Sequence, residues 1–100
     1  MNLSNDEKLI LHQFFAGKPV KKAFLFGSSA RNEAAMHSDI DILVELDHRN
    51  PIGMKFFGYQ PELELLLKKK VDLVTSDGLS KYVKPFIDKD KILIYERAND

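Results

Sequence analysis

The stretch VKKAFLFGSSARNEAAMHSDIDILVEL, residues 20–46, decides the fold. Its first part ends in the apolar run Ala23, Phe24, Leu25, Phe26, too short for a helix before Gly27, and reads as a buried strand over Val20 to Phe26. Ser28 to Met36 holds Ala30, Arg31, Glu33, Ala34 and Ala35, all good helix formers, with Ser28 or Ser29 as the cap. Ile40 to Leu46 is rich in Ile, Leu and Val and predicts a second, central strand, closed by the polar stretch Asp47, His48, Arg49, Asn50, Pro51. A strand thus runs through a glycine turn into a helix, and a second central strand follows.

On the N-terminal side, Ser4 followed by Glu7 is a capping-box pattern. Ile10, Leu11, Phe14 and Phe15 then recur at helical spacing until Gly17 and Pro19 stop the helix. On the C-terminal side, Met54 to Lys70 reads as helical, with Leu63, Leu66 and Leu67 on one face and a kink or split from Gly58 and Pro61. Val71 to Thr75 predicts a third strand, Leu79 to Ile87 a short helix cut near Pro85, and Lys91 to Tyr95 a fourth strand. The pattern is α/β: a small mixed sheet of about four strands with helices packed on it. With 100 residues, 44% hydrophobic and 30% charged, there is room for a single domain over 1–100 and one core.

Fifteen basic residues balance fifteen acidic ones, so the long-range positive field that draws proteins onto DNA or RNA is missing and a nucleic-acid partner is not expected. No cysteine is present, which fits a reducing cytoplasm. The first residues carry Asp6 and Glu7 and lack the regions of a signal peptide, and no apolar run is long enough to span a bilayer, so a cytoplasmic protein without membrane association is expected.

The chemistry concentrates in three places. Gly27 stands where a strand turns into a helix, so backbone can approach a ligand closely there. The following amides, the helix dipole and the Ser28 hydroxyl all favour an anion, although a capped helix after a strand would show the same residues. Asp39 and Asp41 lie two apart at the head of a strand, and the period of two puts both carboxylates on one face while Ile40 and Ile42 point to the other. Asp72 is again a carboxylate among apolar neighbours, and it joins the other two if its strand pairs beside the second. Ionised carboxylates about 4 to 5 Å apart repel by roughly 3 to 4 kcal/mol per pair at an effective dielectric near 20. Three such acids call for a cation, and a few hard oxygens that leave positions open for phosphate describe Mg2+ or Mn2+.

Taken together, Gly27-Ser28-x-Ala30-Arg31, then Ser38-Asp39-Ile40-Asp41, then Val71-Asp72-Leu73-Val74 resemble the minimal nucleotidyltransferases of the polymerase-beta superfamily. The resemblance covers nearly the whole chain, from the leading helix to the closing strand. It implies the nucleotidyltransferase fold and a Mg2+-dependent transfer of a nucleoside monophosphate, AMP foremost, from ATP or another nucleoside triphosphate to a hydroxyl, with pyrophosphate departing. It also implies that Gly27 and Ser28 hold the β- and γ-phosphates and that Asp39 and Asp41 ligate two Mg2+ ions. Asp72 would ligate one ion and activate the acceptor. Arg31 either contacts phosphate or pairs with an acid on its helix. Asn32 stands where the family commonly has glycine, and asparagine tolerates a left-handed backbone.

Relatives of this size resemble the antitoxin of two-gene toxin systems whose other member is a HEPN-domain ribonuclease. The implied partner is therefore a HEPN protein in a hetero-oligomer, with its tyrosine as acceptor. The alternative is an antitoxin that neutralises its partner by occlusion alone. All three acids are present, which favours catalysis. His12, His37 and His48 read as surface histidines, Lys68 to Lys70 as a solvated helix end, and Phe56, Phe57 and Tyr59 as core.

Overall fold

Both halves of the capping box form. The Ser4 hydroxyl accepts from the Glu7 amide at 3.1 Å, and the Glu7 carboxylate accepts from the Ser4 amide at 3.0 Å. The first helix, α1, therefore starts at Asn5 and runs to Ala16, where Gly17 ends it. The computed structural model describes residues 3–27, 40–47 and 53–98. The helix expected over 28–36, with Ser28, Arg31 and Asn32, lies outside the described residues, as do His37, Asp39 and His48.

The strands are β1 (Val20–Leu25), β2 (Ile40–Leu46), β3 (Val71–Thr75) and β4 (Ile92–Glu96), in the spatial order β3-β2-β1-β4. β1 is antiparallel to both β2 and β4, while β3 runs parallel to β2, so the expected mixed sheet of four strands forms. β4 starts one residue later than its composition indicates. Lys91 caps the preceding helix instead, donating its amide to the Ile87 carbonyl at 2.8 Å.

Strand alternation divides the apolar residues between two faces. On one, Leu11, Phe14 and Phe15 of α1 pack with Ala23, Leu25, Ile42, Val44 and Leu73 in the main core. Tyr59, Leu63 and Leu67 of the second helix, α2 (Tyr59–Leu67), complete it. The Phe14 and Tyr59 rings stand nearly perpendicular at a centroid distance of 5.7 Å and join the two helices. On the other face Phe24, Leu43 and Ile87 make a smaller cluster, with the Lys91 ammonium 4.5 Å over the Phe24 ring. Ile87 comes from the third described helix, α3 (Lys84–Asp90).

Several boundaries differ from the sequence expectation for local reasons. The segment from Met54 splits at Gly58 as its glycine leads one to expect, but the first part, Gly53–Gly58, is a 3-10 turn in place of α-helix, and α2 begins after it. Pro61 sits in the first turn of α2, where no amide is needed, so it causes no kink. Pro85 likewise starts α3 instead of cutting a helix. Leu66 is 48% exposed, because the buried stripe of α2 is centred on Leu63 and Leu67 and leaves it on the flank. Phe57 is 71% exposed, against the expectation of core, although Phe56 and Tyr59 do pack inward. His12 is exposed with its ring edge-on to Tyr95 at 5.2 Å, and no helix among the described residues is long and apolar enough to cross a membrane.

Glu7 also receives the Lys69 ammonium at 2.8 Å, tying the start of α1 to the segment that leads into β3. Burial works to raise the Glu7 pKa, but the Lys69 contact and the hydrogen bonds from Ser4 outweigh it and hold the carboxyl below its usual range. A folded-state pKa below the unfolded one contributes stability above the unfolded pKa, and that contribution is lost as pH falls through the folded pKa. Glu7→Gln is therefore expected to destabilise the protein by about 1 kcal/mol at neutral pH, with the gap to the parent narrowing toward about pH 3. Urea denaturation at both pH values checks this, and a gap that widens in acid would contradict it.

Candidate active site

β2 and β3 start at the same end of the sheet, where antiparallel β1 finishes. At that corner the Ile40 amide donates to the Lys70 carbonyl at 2.9 Å, and the Phe26 amide donates to the Asp41 carbonyl at 3.1 Å. The parallel register places Asp41 directly beside Asp72. Ile40, Ile42, Val71 and Leu73 all belong to the main core, so alternation turns Asp41 and Asp72 to the opposite, more open face. Asp41 is half-buried and Asp72 exposed.

Gly27 closes the corner from the β1 side. Its φ is +64°, a left-handed conformation that side chains disfavour, and a Cβ placed there would lie 2.9 Å from an Asp41 carboxylate oxygen. Two independent constraints thus demand glycine. The backbone after β1 is pressed against the first acid of β2, with no side chain between them.

Of the site residues read from the sequence, the structure brings Gly27, Asp41 and Asp72 together. Ser28, Arg31 and Asp39 lie outside the described residues. Among the described residues no three acids or histidines cluster as a complete metal centre. The Asp41–Asp72 pair nonetheless fits a hard divalent cation in donor type. Neighbouring strands set such carboxylates roughly 5 Å apart, where like charges repel by about 3 kcal/mol at an effective dielectric near 20, less as water screens them. A cation removes that repulsion.

One acid is set apart from this corner. Asp47, expected in a polar loop, is only 2% exposed at the far end of β2, about 20 Å along the strand from Asp41 by rise per residue. Arg97 meets its carboxylate at 2.6 Å, which makes burial tolerable, and the Asp47 amide donates to the Pro19 carbonyl at 2.9 Å. It fastens strand ends and takes no part in the site.

Sequence reasoning passed over Gln60 and Glu64. The Leu73 amide donates to Gln60 Oε1 at 3.1 Å and the Val71 amide to Glu64 Oε2 at 2.9 Å, so both flank Asp72. The available signal was their spacing, which puts them on the same helical face as Leu63 and Leu67, polar residues on a buried stripe.

A family model described as a nucleotidyltransferase domain matches residues 8–94. A candidate protein adenylyltransferase of Methanocaldococcus jannaschii is 45% identical over 76 residues, covering 75% of this chain and 76% of the relative. Two solved structures share the fold. One, a toxin–antitoxin with AMP-PNP, has a TM-score of 0.75 at 21% identity over 97% of this chain and 77% of that one. The other is a tri-AMPylated Shewanella oneidensis HEPN toxin in complex with its MNT antitoxin, at TM-score 0.69 and 17% identity over 91% of this chain and 71% of that one.

Gly27→Ala is expected to cost about 1–2 kcal/mol from the left-handed backbone alone, read as a drop in melting temperature. A variant as stable as the parent would contradict the placement of Gly27. Asp72→Asn, changing an exposed side chain outside the core, should shift stability by no more than about 0.5 kcal/mol. A larger loss in the same melts would make Asp72 a structural residue.

Proposed function

Because this chain belongs to the nucleotidyltransferase domain family, we propose that it moves AMP from ATP to a hydroxyl of a partner protein, a HEPN-domain toxin, releasing pyrophosphate. The observation that carries this reading is the in-register pairing of Asp41 with Asp72 beside the bare backbone of Gly27. An isolated acid at a strand end has many uses, whereas two neighbouring acids facing a glycine turn suit a charged ligand that needs a cation with it.

Asp41 and Asp72, with Asp39 as the third acid that the sequence supplies, would hold Mg2+ or Mn2+, which when bound supplies positive charge against the phosphate oxygens. Gly27 admits the triphosphate close to the backbone, where Ser28 donates to it, and Arg31 adds a charge-assisted contact. Asp72, exposed at the corner, accepts the proton of the incoming hydroxyl. The acceptor oxygen bonds to the α-phosphorus as the bond from that phosphorus to the pyrophosphate oxygen breaks.

Charge supports a protein acceptor. A net charge of zero over these residues provides no long-range pull on RNA or DNA. A folded partner brings its own surface. The archaeal relative's name and the AMPylated HEPN toxin of the structurally similar complex point the same way. The absence of cysteine suits a reducing cytoplasm.

Mass spectrometry of a HEPN-domain protein after incubation with this chain, ATP and Mg2+ should show discrete additions of AMP, and the Asp41→Asn variant should add none. A partner inhibited in a stable complex yet unmodified would replace catalysis with occlusion.

A further inference from the structure

We propose that Gln60 and Glu64 of α2 are positioning residues for Asp72, clamping the strand that carries it from its open side. The proposal rests on the reading of Asp72 as a metal ligand. Among the described strands β3 is at the edge, paired with β2 alone, so its outward amides have no described strand to bond. Those of Val71 and Leu73 go to Glu64 and Gln60 at 2.9 and 3.1 Å. The residue between them is Asp72.

Geometry makes the clamp fit. Gln60 and Glu64 are one helical turn apart, about 6 Å along the axis at 1.5 Å per residue. Val71 and Leu73 are two strand residues apart, about 6.6 Å. A helix lying beside the strand therefore meets both amides with one repeat, and Leu63 and Leu67, buried in the main core, hold that helix still. Gripped at 71 and 73, the strand has little freedom to shift at 72. A slip of one residue would turn Asp72 to the other face and away from Asp41, and far smaller displacements are enough to spoil a metal site. Groups that orient metal ligands without touching the metal are commonly worth 10- to 100-fold in affinity.

The test is calorimetric titration of Mn2+ into the full chain in the presence of AMP-PNP, with melting temperatures measured alongside. Gln60→Leu and Glu64→Leu, which remove the accepting oxygens, should weaken Mn2+ binding by roughly 10- to 100-fold. Glu64→Gln keeps an accepting oxygen without the charge and should bind close to the parent. If Asp72→Asn loses binding while the leucine variants keep it and lose only melting temperature, the clamp merely seals the edge and the proposal falls with the metal reading intact. A loss in Glu64→Gln equal to that in Glu64→Leu would assign the effect to charge and overturn the clamp. Full binding by Asp72→Asn would remove the metal reading itself. Should Gln60→Leu fail to fold, the two Glu64 variants decide the matter alone.

Discussion

The parallel ladder between β2 and β3, in which Ile40 lies beside Val71 and Asp41 beside Asp72, is the constraint on which the described fold turns. A parallel pair cannot be closed by a tight turn, so the chain between β2 and β3 must cross over the sheet. That crossing carries α2, whose Tyr59, Leu63 and Leu67 fill the main core together with α1. The same register leaves two acids side by side at the one end of the sheet where β1 finishes and Gly27 can press against Asp41. Fold and candidate site are thus consequences of one pairing, and moving it by a residue would turn Asp72 to the core face and set Val71 or Leu73 beside Asp41.

Much of this was legible in the residues themselves. The apolar run of Ile40 to Leu46 and its polar boundary define β2 as it stands, and the capping box at Ser4 and Glu7 forms as its spacing predicts. Local rules sufficed because the deciding contacts lie within a few residues. Asp41 and Asp72 stood out for a different reason: a carboxylate among the apolar residues of a strand conflicts with packing and invites a functional explanation.

What escaped the sequence was set by distant partners. Asp47 and Arg97 are fifty residues apart and look like ordinary surface charges until β2 and β4 bring their ends together. Gln60 and Glu64 share the helical face of Leu63 and Leu67, but that spacing does not name what they bond, since their role depends on β3 being the edge among the described strands. The exposure of Phe57 and Leu66 has the same origin. Helical periodicity gives a stripe, but the width of the stripe is decided by what lies against it. Proline was misread in the opposite sense, because Pro61 and Pro85 mark helix starts whose boundaries only the preceding turns reveal.

The proposed corner of Gly27, Asp41 and Asp72 takes up a nucleotide together with a cation. Paramagnetic Mn2+ broadens the resonances of nearby nuclei, so amide spectra of the labelled protein titrated with Mn2+ and ATP locate the ion directly. The amides of Gly27, Asp41 and Asp72 and their immediate neighbours are expected to broaden first, while those around Asp47 and Arg97 at the opposite end stay sharp. Early broadening elsewhere, with the Asp41 and Asp72 amides unaffected, would contradict it.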